Sequence, residues 1–144
     1  MANVAKGKPA KQSSQYGNYE ASRAVDGNIN GHSSRGSITH TKNGPNPYWQ
    51  VDLVGTYRLD EIKIFNREDC CKDRLKNFEV IIKLNGVEVW TYSDRNSIPP
   101  RISTLTVPSV LGDSIVVKLP GQNRVLTLAE VEAYGKYEEP DVSA

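Results

Sequence analysis

Nowhere in this chain do apolar residues hold a helical period for three turns; they recur in short segments of period two, separated by turn residues. A period of two puts successive side chains on opposite faces of an extended strand, so the pattern confines the chain to an all-β architecture. Residues 48–54, 59–66, 77–84, 87–92, 101–107, 114–119 and 126–134 read as strands. Asn85-Gly86, between Leu84 and Val87, is a two-residue hairpin turn, because both types tolerate positive φ. In the last strand Val125, Thr127, Ala129, Val131 and Ala133 are expected on one face, with Leu126, Leu128, Glu130 and Glu132 on the other. Regularly spaced strands without helices predict a β-sandwich.

A chain of 144 residues is the size of one domain with a core of its own. Residues 13–47 are rich in Ser, Gly, Asn and Tyr and carry little strand pattern beyond a single turn at 20–25. So long a loop in a compact domain is usually functional, and this one leads into His40. The polar, Pro-broken end at 138–144 reads as a linker or frayed tail, which leaves 1–137 as the domain.

Charge excludes one class of partner. With 18 basic and 17 acidic residues the formal charge is +1, which gives no global field for a polyanion and suits a neutral ligand. No apolar run approaches the roughly 20 residues that cross a bilayer, and the first residues lack the apolar stretch of a signal peptide. There is no Asn-x-Ser/Thr acceptor.

The only cysteines are adjacent, in Arg67-Glu68-Asp69-Cys70-Cys71-Lys72-Asp73-Arg74. Neighbouring cysteines cannot staple distant segments, so a disulfide between them would act through local shape, and free thiols remain the alternative. Oxidised, the pair is a small apolar plate between two permanent cations, Arg67 and Arg74. A flat apolar surface beside directional donors matches a sugar with one greasy face and several hydroxyls.

His40 is followed by 26 residues, Arg67, one residue, Asp69, four residues and Arg74. This spacing resembles the fucose-binding signature of the F-type lectins, a branch of the discoidin or coagulation-factor C-type domains. Asn3-Val4-Ala5, Gly7-Lys8-Pro9-Ala10, Gln12-Ser13-Ser14, Ala24-Val25-Asp26-Gly27-Asn28, Tyr48-Trp49-Gln50-Val51-Asp52-Leu53 and Leu128-Ala129-Glu130-Val131-Glu132 are similar to that family's landmarks, in its order, over about residues 2–136. The resemblance implies a discoidin-like jelly roll of about eight main antiparallel strands. It also implies a secreted, non-catalytic domain for terminal L-fucose on glycans, acting within an oligomer or a larger parent. His40, Arg67 and Arg74 would then hydrogen-bond the ring oxygen and two hydroxyls, and Asp69 would orient the guanidiniums. Cys70 and Cys71 would lie against the sugar's apolar edge, with Tyr16 or Tyr19 beside the methyl group. His32, Ser33 and Ser34 would line the rim, and Glu68 and Asp73 read as surface charges.

The same resemblance implies a structural Ca2+ held by the side chains of Asp26 and Glu130 and by carbonyls at Arg23, Asn28, Ser37 and Ala129. Hard cations take such oxygen sets. Ile38 and Ala129 stand where some F-type lectins have a disulfide, so an apolar contact is expected there.

Two other readings compete. A phospholipid-binding discoidin module would need apolar spikes over a basic belt, and this chain has two Phe, one Met and little net charge. An enzyme could use Cys71 with His40, or Asp69 with Glu68 or Asp73. Asp69 between two arginines is expected to stay ionised, without a raised-pKa acid beside it.

Overall fold

The computed structural model describes residues 2–96 and 98–139, without the side chain of Arg35. It contains six strands: β1 (Ala10–Gln12), β2 (Tyr48–Phe65), β3 (Glu79–Leu84), β4 (Val87–Ser93), β5 (Ile102–Lys118) and β6 (Glu130–Tyr137). All pairings are antiparallel, in the order β1-β2-β5-β3-β4, with β6 added on β2.

Two of these strands build both layers of a β-sandwich. The first half of β2 pairs with β1 and with the second half of β5, which carries β3 and β4 onward. The second half of β2 pairs with β6 and with the first half of β5. The sequence divides each of these long strands in two, at 48–54 and 59–66 and at 101–107 and 114–119. In the structure each runs on through a bend. The register slips between Asp52 and Tyr57 and between Leu59 and Glu61, and Val54 and Ser109 take positive φ of 54° and 57°. Local breakers therefore turn the strand between layers without ending it.

Asn85 and Gly86 have φ of 53° and 82°, the double positive φ expected of a tight hairpin turn. The strand expected from residue 77 begins at Glu79 because Asn77 is left-handed, with φ of 58°. The short polar β1 carries too little pattern to be legible in the sequence.

Trp49, Leu53, Ile62, Phe78, Ile82 and Ile115 are fully buried between the layers. Trp49 Nε1 donates to Ala21 O at 2.9 Å, which pins the short 3-10 helix Ala21–Val25 to the core. The strict alternation expected for 126–134 does not hold. Leu126 and Leu128 share the main core with Val131 and Ala133, so the parity changes at Ala129-Glu130. Residues 126–129 lie outside β6, with Leu126 and Leu128 paired to Thr41 and Thr39 and the Ala129 N–H donating to Phe65 O, and the parity change takes Glu130 off the main-core face, where it is nonetheless fully buried. Of the expected tail, Glu138 is tied to Thr56 O by its N–H at 2.8 Å and to Arg58 by its carboxylate at 3.0 Å. Residues 140–144 of that segment lie outside the described residues.

Candidate sugar-binding site

Three chain segments meet at one end of the sandwich. The first carries His40. On either side of it, Thr39 and Thr41 are buried and doubly clamped to the 126–128 segment. Their N–H groups donate to Leu128 O and Leu126 O at 2.8 and 3.0 Å, and their hydroxyls accept from the N–H groups of Leu128 and Leu126 at 3.2 and 2.9 Å. Fixing both flanking side chains inward leaves His40 on the opposite side, half-buried. Its Nδ1 is 2.7 Å from Thr41 O, and a carbonyl only accepts, so the proton sits on Nδ1 and Nε2 offers a lone pair. Arg74 Nη1 lies 3.2 Å from that Nε2. Burial, then the Arg74 and Arg67 charges, hold the imidazole below its ordinary pKa against the opposing pull of Thr41 O.

The second segment is 66–74. Buried Asn66 braces it, accepting from the Arg67 N–H at 2.9 Å and donating from Nδ2 to Lys72 O at 3.0 Å. Between them Cys70 and Cys71 form a disulfide, with Cα atoms 3.7 Å apart. Cys71 sits at φ of 63° and starts the 3-10 helix Lys72–Leu75, which carries Arg74. With both sulfurs in the bond there is no thiolate, and the Cys71–His40 nucleophile is ruled out.

Asp69 pairs with Arg67 in fork geometry, at 2.7 Å to Nε and 3.2 Å to Nη2. The hydrogen-bonded guanidinium holds the Asp69 carboxyl down to about 2. The expectation that Asp69 orients both guanidiniums is corrected: it takes Arg67 alone, and among the described residues Arg74 has no ion-pair partner. Glu68 is not a free surface charge either. It accepts from the Gly31 N–H at 3.0 Å and pairs with Arg101 at 3.1 Å, while its own N–H donates to Gly31 O at 2.7 Å. It thereby ties the rim loop carrying His32, Ser33 and Ser34 to the Arg67 segment. Asp73 is exposed, as expected.

The third segment is the Tyr16 loop. The Tyr16 N–H donates to His40 O at 2.9 Å, and its ring lies 4.7 Å from the imidazole, centre to centre. Tyr16 is 55% exposed, whereas Tyr19 packs inward against Ile38, Phe65 and Ala129. Ile38 and Ala129, fully buried, thus meet in the apolar contact expected of them.

Beneath the loops lie Asp26 and Glu130. Glu130 Oε2 accepts from the Gly27 N–H at 2.8 Å, whereas its buried Oε1 has no partner. Burial, reinforced by the facing Asp26 carboxylate, pushes the Glu130 carboxyl up to about 9. No backbone N–H among the described residues donates to the carbonyls of Asn28, Ser37 or Ala129. No cluster of three or more His, Cys, Asp or Glu side chains is arranged for a metal among the described residues. Any cation here would be held by two carboxylates and main-chain oxygens. The orphaned oxygen opposite a second carboxylate fits such a cation.

The sequence of this chain matches the profile of the NedA-like, galactose-binding domain over residues 23–117. It is 36% identical over 141 residues to Fucolectin of Anguilla anguilla, covering 90% of this chain and 89% of that protein. It is 35% identical over 116 residues to Fucolectin-5 of Anguilla japonica, covering 76% of this chain and 60% of that protein, so the match spans less than two thirds of that relative. Its fold superposes with a TM-score of 0.90 on a Streptococcus pneumoniae fucose binding module, SpX-3, at 34% identity, over 96% of this chain and all of that one.

Proposed function

The chain is an F-type lectin domain of the coagulation-factor 5/8 C-type family, and from that premise we propose that it binds terminal L-fucose on glycans through His40, Arg67 and Arg74. It is a binding domain and not an enzyme. The observation that carries the reading is the meeting of an imidazole lone pair and two guanidiniums around the Cys70–Cys71 plate. Arg74 donates, and His40 Nε2 accepts. A sugar hydroxyl that displaces the direct Arg74–His40 contact would accept from Arg74 and donate to Nε2 at once, which favours one hydroxyl stereochemistry. Arg67, locked by Asp69, supplies the second fixed donor. The disulfide offers an apolar surface to the sugar edge, and the exposed Tyr16 ring offers another beside it.

Ca2+ is part of this reading. Asp26 and Glu130 would hold it, with carbonyls of Arg23, Asn28, Ser37 and Ala129, and it would supply positive charge that keeps Glu130 ionised and the loop in place. The partners are fucosylated glycans outside the cell, where the disulfide persists. Grip from one shallow site is weak, so avidity would come from several copies or a larger parent.

Titration calorimetry with L-fucose tests the proposal, with D-galactose as the comparison because the chain is similar to a galactose-binding domain. Wild type is expected to bind L-fucose, and Arg67→Ala and Arg74→Ala to lose about two orders of magnitude in affinity while staying folded. A wild type that prefers D-galactose, or variants that bind L-fucose as wild type does, would overturn it.

A further inference from the structure

Arg124 touches both arms of the site without facing the sugar. Its backbone is bridged to Gly44, with Arg124 N–H donating to Gly44 O at 2.9 Å and the Gly44 N–H returning to Arg124 O at 3.1 Å. Gly44 ends the segment that delivers His40. Its side chain reaches the other arm: Nη1 donates to Pro120 O at 2.9 Å, and Nη2 to Arg74 O at 3.2 Å and to Lys76 O. Those last two carbonyls close the 3-10 helix that carries Arg74. Among the described residues no carboxylate pairs with Arg124, so its charge is held by main-chain carbonyls alone. A half-buried cation spent on three carbonyls is a rigid brace, because a guanidinium fixes several acceptors in one plane.

We propose that Arg124 is a positioning residue that sets the distance between Arg74 and His40, and with it the point at which a sugar hydroxyl is read. The proposal rests on the fucose reading for its consequence but not for its geometry. The geometry has its own reporter. His40 is faced by Arg74, Arg67, Tyr16, Tyr19 and Thr41 O, and the Arg74 charge helps hold the imidazole below its ordinary pKa. If the helix end is released and Arg74 swings away, that depression relaxes.

The experiment is an NMR titration of the two histidines in wild type, Arg124→Met and Arg124→Lys, with His32→Gln to assign them and Arg74→Ala as reference. In Arg124→Met the His40 pKa is expected to rise toward that of Arg74→Ala, and L-fucose affinity to fall about tenfold. Arg124→Lys, which keeps the charge but loses the fork, should fall between; it carries the test if the Met variant does not fold. A residue that merely stabilises the fold would lower the melting temperature and leave His40 where it is. A His40 titration superimposable on wild type would overturn the proposal, as would a shifted titration with unchanged fucose affinity. If wild type binds no fucose, the functional reading fails, and the His40 titration alone decides whether Arg124 holds Arg74.

Discussion

At the candidate site His40 and Asp69 are directed by the neighbours that take their other bonds. His40 gives its proton to Thr41 O and keeps one lone pair; Asp69 spends both oxygens on Arg67. This sets the pH dependence. The His40 pKa is depressed from 6.5, so the native state resists protonation. As pH falls below 6.5 the unfolded chain takes up the proton first, and stability declines until native His40 is also protonated. The Asp69 contribution has another window, being complete above 3.8 and lost as pH falls to about 2. Fucose affinity is therefore expected to hold at neutral pH and to fall once His40 protonates, because an imidazolium has no lone pair to offer. Calorimetry over a pH series checks this. Affinity that drops only in the Asp69 range would mean that His40 does not accept from the sugar.

Among the elements, the parity change before β6 has the largest consequence. It moves Glu130 off the main-core face yet leaves it buried, with an Oε1 that finds no partner. A cation bound by the native state alone raises its melting temperature, so a chelator should lower it, and Glu130→Gln should abolish that effect. Identical melting with and without chelator in wild type would exclude a structural cation. Gly135 in β6 shows how closely the strands approach: a Cβ there would overlap Arg58 O of β2. Gly135→Ala should destabilise by about 1–3 kcal/mol, measured by denaturant unfolding, since backbone cannot move aside.

The same elements show what the sequence reveals. The Asn85-Gly86 turn, the strand segments and the spacing of His40, Arg67, Asp69 and Arg74 are legible, because each depends on local pattern. Joining 48–54 to 59–66 as one strand is not, since Val54 and Gly55 read as a break until both halves find partners. Nor are the roles of Glu68 and Arg124. Both act on carbonyls and N–H groups that sequence does not display, at Gly31, Arg74 and Lys76. The Thr39-His40-Thr41 alternation is the signal from which the clamping of His40 on both sides could have been read.

For the molecule as a whole, the disulfide separates shape from stability. It joins adjacent residues and restrains little of the unfolded chain, so reduction should barely move the denaturation midpoint. Fucose affinity should nonetheless fall several-fold, on the scale of a lost apolar contact of about 1 kcal/mol. A large loss of stability, or unchanged affinity, would refute that division. The bridge between Asn3 and Tyr134 places the incoming and outgoing chain side by side on the last strand. That strand leads away from the Glu130 end, beside the sugar loops, over eight residues, or roughly 25 Å. The first and last described residues therefore lie toward a single pole, opposite the end that carries Glu130 and the candidate site. A host chain joined at that pole would leave the face that carries His40, Arg67 and Arg74 clear.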